Sequence, residues 1–145
     1  MNFYQVNESF HFVDLPGYGY AMVPEKVRRA WGPMVEGLLD RRASRIALAV
    51  LLVDARREAN DLDRLMRLWL EDRKIPYVVA ATKSDKLSGK ARAAAGRHLK
   101  QELGDSSLGA GPVLVSSHTG LGVREMWRHL DRALLGAAVR NRRPG

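Results

Sequence analysis

Three short runs of this chain carry residue types that could do chemistry together. They are Asp14-Leu15-Pro16-Gly17, Thr82-Lys83-Ser84-Asp85, and Val115-Ser116-Ser117 leading into His118-Thr119-Gly120. A carboxylate at position 85 can accept from both the N1–H and the N2 amine of guanine. Adenine has no N2 amine and an unprotonated N1, so it would leave that carboxylate unpaired. A site built on such hydrogen bonds discriminates strongly. The stem of Lys83 could lie over the base, and backbone amides around Ser116-Ser117 could meet O6. Asp14 could hold a magnesium-bound water, and the Gly17 amide could reach a terminal phosphate, because glycine permits close backbone approach.

The three runs differ in how much they say. With nine Asp and 13 Gly in the chain, about 0.8 Asp-x-x-Gly matches arise by chance, so Asp14 and Gly17 can equally be a strand-to-loop turn. For [Asn/Thr]-Lys-x-Asp the same arithmetic gives about 0.015, although a solvated loop pair at Lys83 and Asp85 stays open as the plain alternative. All three fall at the ends of apolar strands. In open α/β sheets that is where ligands bind, and in this order the runs read as a guanine-nucleotide site.

The elements that must position them follow from periodicity. Phe3 to Val6 and Phe10 to Asp14 are β-rich runs joined at Asn7-Glu8-Ser9, a hairpin. The glycine-rich Leu15-Pro16-Gly17-Tyr18-Gly19-Tyr20 follows. Pro24 suits the first turn of a helix to about Arg42, with Trp31, Met34, Val35, Leu38 and Leu39 on one face. Ile46 to Asp54 reads as a strand buried on both faces. Asn60 can cap a second helix whose stripe is Leu62, Leu65, Met66 and Trp69. Pro76 to Thr82 and Val113 to Ser116 are further buried strands. A basic helix spans about Ser88 to Leu103, and a last one carries Val123, Met126, Trp127, Leu130 and Leu134. The tryptophans are expected in the core. Buried strands alternating with helices predict an α/β fold, a mostly parallel sheet with helices on both faces.

Composition bounds the function. The 145 residues are 46% hydrophobic and 28% charged, the mix of a globular domain. With no cysteine, disulfide scaffolds, zinc ribbons and cysteine nucleophiles are excluded. His11, His98, His118 and His129 show no metal spacing, and no Gly-x-Ser-x-Gly elbow exists. The longest apolar run is far short of a membrane span and no secretory signal is visible, so a cytoplasmic protein with no membrane partner is expected. The net charge of +8 is uneven: residues 1–72 hold 10 Lys/Arg against 11 Asp/Glu, and residues 73–145 hold 14 against 5. The basic half suggests a polyanion, RNA above all, or simply a solvated surface ending in Arg140, Arg142 and Arg143.

The run Asn2-Phe3-Tyr4-Gln5-Val6-Asn7 and then Phe12-Val13-Asp14-Leu15-Pro16-Gly17-Tyr18-Gly19-Tyr20-Ala21 closely resembles the EngB (YihA/YsxC) family of bacterial GTPases. So do Ala30-Trp31-Gly32, Val53-Asp54-Ala55-Arg56, Trp69-Leu70, Ile75-Pro76 and Ala81-Thr82-Lys83-Ser84-Asp85-Lys86-Leu87. Ser116-Ser117 with Gly120, Gly122, Glu125 and Trp127 complete a match running from Asn2 to about Leu134. The resemblance implies a Ras-like P-loop GTPase fold that uses GTP and GDP with Mg2+. It also implies a role in assembly of the large ribosomal subunit, with rRNA or that subunit as partner, and a link to cell division and septation. Residues 1–135 would be a partial G domain and 136–145 a basic tail. The nucleotide-binding set would be Asp14, Leu15, Pro16, Gly17, Thr82, Lys83, Ser84, Asp85, Val115, Ser116 and Ser117. No residue would ligate the metal directly.

Against that family the chain lacks a Gly-x-x-x-x-Gly-Lys-[Ser/Thr] loop, whose amides cradle phosphates and whose hydroxyl binds magnesium. Its one Gly-Lys pair, Gly89-Lys90, has Ser84 and Ala91 at the remaining positions of the pattern. No Thr precedes Thr82, so the switch-I threonine is missing too. The first strand, phosphate loop and first helix are therefore expected in a reading frame upstream of Met1. The missing strand would lie between those ending at Asp14 and Asp54, leaving unpaired backbone in mid-sheet. The 145 residues alone are expected to be unstable and to hydrolyse no GTP. Tyr18 stands where Ras has a water-orienting glutamine, so hydrolysis would be slow in any case. A reading from another class is an RNA- or ribosome-binding module without nucleotide chemistry, resting on Arg92, Arg97, Arg128, Arg132 and the tail arginines.

Overall fold

The computed structural model describes residues 1–15, 17 and 25–141, with the side chains of 25–31, 140 and 141 left out. Pro16, Tyr18, Gly19, Tyr20, Pro24, Arg142 and Arg143 lie outside the described residues, as do the side chains of Trp31 and Arg140. By its contacts the chain falls into two compact units, Met1–Arg41 and Arg42–Gly145.

The first unit opens with strands β1 (Asn2–Val6) and β2 (Phe10–Asp14), antiparallel with Asn2 opposite Asp14 and Val6 opposite Phe10. Asn7 and Glu8 both take positive φ, and the Ser9 amide donates to the Val6 carbonyl at 3.0 Å. Two successive left-handed residues match the twist of the paired strands, which is why the chain reverses here. Phe10 and Phe12 meet edge to face at 5.3 Å. Helix α1 (Glu25–Arg42) runs through Pro33, and Val35 and Leu39 of the expected apolar face are buried.

The second unit holds a parallel sheet in the order β3-β4-β5: β3 (Ala49–Asp54), β4 (Tyr77–Thr82) and β5 (Gly109–Leu114). Helices α2 (Asp61–Asp72) and α3 (Gly89–Leu99) make the crossovers, and α4 (Val123–Asn141) follows β5. The central strand is the core, with Tyr77 through Ala81 all buried. Tyr77 also donates its hydroxyl to the Leu103 carbonyl at 2.8 Å. That bond ties β4 to the π-helical turn Lys100–Gly104, into which α3 widens before its expected end at Leu103.

Four expectations need correction. The strand ending at Asp54 is not buried on both faces: Leu51 and Val53 are, while Val50 is 38% and Leu52 61% exposed. Successive side chains of a strand point to opposite faces of the sheet, so the face carrying Leu51 and Val53 is covered and the one carrying Val50 and Leu52 is not. The third strand begins four residues earlier than Val113 and ends at Leu114. Trp127 is 44% exposed rather than core, and Trp69 is half-buried.

The fourth correction concerns α2. Its buried line is Asp63, Met66 and Leu70, with Leu62 and Leu65 exposed. A carboxylate turns the helix. Asp63 is fully buried, pairs with the Arg57 guanidinium at 2.6 Å, and accepts from the Asn60 amide at 2.9 Å. Asn60 in turn accepts from the Asp63 amide at 2.8 Å, closing a capping box. Apolar periodicity counts no carboxylate as a core residue, so of the expected stripe Met66 is buried and Trp69 half-buried, while Leu62 and Leu65 give way to Asp63 and Leu70. Asp63→Ala should therefore cost about 2 kcal/mol, since it removes a cap and strands a guanidinium. The urea midpoint should fall accordingly, whereas Asp61→Ala on the exposed side of the same turn should leave it in place.

Candidate functional site

Parallel strands put their carboxyl ends on one side of the sheet. Register places Asp54 of β3 opposite Thr82 of β4, and Ala81 opposite Leu114 of β5. Beyond those ends the backbone stays stitched. The Ala55 amide donates to the Thr82 carbonyl at 2.9 Å, Val115 to Ala81 at 2.8 Å, and Ser84 to Val115 at 3.1 Å. Thr82 adds a bond from its hydroxyl to the Val53 carbonyl at 3.1 Å. The Thr82–Asp85 segment is thus held from both neighbouring strands.

Within that segment Lys83 takes φ 58°, the left-handed region, and opens the 3₁₀ turn Ser84–Lys86. Ser84 is fully buried and donates its hydroxyl to the Ala81 carbonyl at 2.8 Å, anchoring the turn to β4. Arg92 reaches back from α3: its Nε donates to the Ser84 carbonyl at 3.0 Å and its Nη2 to the Leu87 carbonyl at 3.1 Å. This corrects the sequence reading, which placed Arg92 in an RNA-facing set. Its guanidinium braces the loop instead.

Asp85 lies beside the next strand end. The neighbouring Ser116 hydroxyl holds its carboxyl below the ordinary value. Ser116 is itself buried, and its Oγ accepts from the amides of His118 and Thr119, both at 3.2 Å. That hydroxyl therefore closes the turn of the loop next to Asp85. A carboxylate has about four acceptor positions, so Asp85 keeps capacity for two donors from a ligand. The Ser116 amide donates to the Leu121 carbonyl at 3.0 Å and the Gly120 amide to the Ser116 carbonyl at 2.9 Å. Of the amides offered to O6, that of Ser116 is spent within its own loop, and Ser117 remains exposed beside it.

A further member of the cluster, Asp54, was not singled out for chemistry in the sequence. Its Oδ2 accepts from Lys83 Nζ at 3.0 Å and from Arg56 Nη2 at 2.8 Å, and its Oδ1 from Arg56 Nε and the Arg56 amide, each at 3.0 Å. The Arg56 guanidinium above all holds the Asp54 carboxyl far below its ordinary range, with Lys83 adding to it. The available signal was an Asp ending an apolar strand with an Arg two residues on, which any solvated turn can also show.

Asp14 ends β2 and is exposed, Leu15 is half-buried, Gly17 is exposed, and Pro16 lies outside the described residues. These belong to the first unit, and the cluster built above is made within the second alone. No group of three His, Cys, Asp or Glu placed to hold a metal ion occurs among the described residues.

No protein-family model matches the chain. Among curated proteins, "Probable GTP-binding protein EngB" of Bacillus thuringiensis (strain Al Hakam) is 42% identical over 135 residues, 91% of this chain. The same figures hold for the protein of that name from Bacillus anthracis (strain A0248). The chain spans 66% of the length of these relatives. Among solved structures, a probable GTP-binding protein engB matches with TM-score 0.74 at 20% identity, covering 87% of this chain and 77% of that one. Translation elongation factor SelB from Methanococcus maripaludis, in its apo form, matches with TM-score 0.65 at 23% identity, over 84% of this chain and 24% of that one. These likenesses establish the fold expected from the sequence, the α/β Ras-like fold of P-loop GTPases.

Proposed function

The chain belongs to the EngB family of GTP-binding proteins, and from that premise we propose that its second unit recognises the guanine base of GTP and GDP. The observation that carries this reading is the place of Asp85 at the carboxyl edge of a parallel sheet, in a 3₁₀ turn that Ser84 and Arg92 anchor, with its carboxyl held below the ordinary value by the neighbouring Ser116 hydroxyl. That carboxylate would accept from guanine N1–H and N2–H2. The exposed Ser117 amide would meet O6, and the Lys83 stem would lie along the ring. Thr82, Ser84 and Val115 contribute through the backbone that holds these groups, as their hydrogen bonds describe.

On the phosphate side the reading assigns Asp14, Leu15, Pro16 and Gly17, with the Gly17 amide toward a terminal phosphate. Magnesium, when bound, would neutralise phosphate charge. In this reading Asp14 would hold one of its bound waters. The sequence holds no phosphate-loop motif, and GTP turnover is not expected of these 145 residues. Residues 1–135 are proposed as part of a G domain and 136–145 as a basic tail, with α4 running on to Asn141.

The large ribosomal subunit or its rRNA is the proposed partner, in the cytoplasm, with a role in subunit assembly and through it in division and septation. Exposed arginines support a polyanion partner. Arg124, Arg128 and Arg132 recur every fourth residue on α4, and Arg97 is exposed on α3. No helix among the described residues is long and apolar enough to cross a membrane. These arginines also favour the second reading, an RNA-binding module without nucleotide chemistry.

Titrating the 15N-labelled chain with GMP and with AMP separates the two, because the ligands carry equal charge and differ only in the base. The guanine reading expects GMP alone to shift the amides around Lys83, Asp85 and Ser117. Equal, weak shifts from both nucleotides, together with RNA binding that collapses between 50 and 200 mM salt, would replace it with the module.

A further inference from the structure

Lys83 presents an energetic puzzle. A non-glycine residue in the left-handed region is strained, and such residues cluster where function requires them. The side chain of Lys83 is 56% exposed, yet its ammonium does not wander in solvent. It lies 3.0 Å from Oδ2 of Asp54, a residue 29 positions earlier at the end of the neighbouring strand. A pair this exposed adds little to stability, so its consequence is geometric.

Asp54 itself has no capacity left for a ligand. Its two oxygens accept four donors, three of them from Arg56 and the fourth from Lys83. The fork of Arg56 fixes the carboxylate plane in the manner of bidentate pairs. The fixed carboxylate then fixes the far end of Lys83, while the left-handed backbone fixes the near end. Between those two points the four methylenes run from the end of β4 to the end of β3.

We infer that Asp54 is the positioning residue for Lys83: braced by Arg56, it tethers the ammonium so that the lysine stem forms the apolar wall for one face of the guanine ring. The inference rests on the guanine reading above. It separates two roles a lysine could play. The charge binds protein, and the methylenes meet the base. A tethered stem is already ordered when the nucleotide arrives, whereas a free one would have to be immobilised on binding, at a cost of severalfold in affinity.

The test is a double-mutant cycle read by NMR titration with GMP, using Asp54→Asn, Lys83→Met and the pair together, in the full chain. Methionine keeps an unbranched stem without the charge. Asp54→Asn should weaken GMP about fivefold in the wild-type background. It should change affinity less than about twofold in the Lys83→Met background, because the tethered group is already gone. Equal losses in both backgrounds, or no loss at all, would overturn the tether; a general structural role for Asp54 predicts the equal losses. Should Asp54→Asn fail to fold, the wild-type chain decides by itself. Resolved pairs of Lys83 Hε signals that collapse to one on adding 1 M salt mark a held ammonium. Averaged Hε signals at low salt exclude one. A wild type that prefers GMP to AMP but gives an additive cycle rejects only this inference. A wild type with no such preference rejects the guanine reading and this inference with it.

Discussion

Asp85→Asn should lower the affinity for GMP by about a hundredfold and raise that for XMP. The ionised carboxylate accepts from two guanine donors at once, and hydrogen bonds to charged groups each contribute about 1.5–3 kcal/mol. An amide offers one acceptor and turns its NH2 toward a donor, so one bond is lost and the other loses its charge. Xanthine carries a carbonyl where guanine has its amine, and that carbonyl can accept from the new amide. The fold has little reason to respond. Asn keeps the size of Asp85, and the turn that carries it is anchored by Ser84 and Arg92 rather than by the carboxylate. Paired titrations with GMP and XMP, with a urea melt beside them, check all three statements. A variant that keeps the wild-type preference for GMP would remove Asp85 from the base site.

Gly122→Ala should cost about 4 kcal/mol of stability. Gly122 has φ 74°, and a Cβ there would run into the Leu114 carbonyl oxygen and come within 2.9 Å of a Val115 methyl. The left-handed backbone contributes about 1–2 kcal/mol for a residue with a side chain, and the overlap with strand backbone adds about 1–3 kcal/mol. Leu121, its neighbour, accepts from the Ser116 amide, so the same strain would disturb the loop beside Asp85. Gly120 is the control. Its φ is 77° but nothing lies within 4 Å of a Cβ placed on it. Gly120→Ala should therefore show the backbone cost alone, about 1–2 kcal/mol. If the two variants melt together, the close approach at Gly122 contributes nothing.

Much of the site was legible because its signals are local. Thr82-Lys83-Ser84-Asp85 follows a run of buried apolar residues, and the run itself declares a strand. The hairpin at Asn7-Glu8 and the cap at Asn60 are each encoded within four residues. The failures share a different character. The α2 stripe was misplaced because a buried Asp63, paired with Arg57, outranked two leucines. Arg92 reads as free charge in sequence and is a loop brace in space. Val50 and Leu52 read as core, since a continuous apolar run implies two covered faces and says nothing about whether the covering elements are present.

The amino-acid sequence by itself determined the alternation of strands and helices, the parallel sheet, the strand-end placement of Lys83, Asp85 and Ser116, and the family. Those depend on periodicity and on motifs a few residues long, which any part of the chain carries with it. Only the tertiary structure decided what holds each of them. Asp54 meets Lys83 across 29 positions, and the Ser84 amide meets the Val115 carbonyl across a helix and a strand. Contacts of that kind depend on strand register and on which neighbour satisfies a buried polar group, and neither is written in the spacing of residues along the chain.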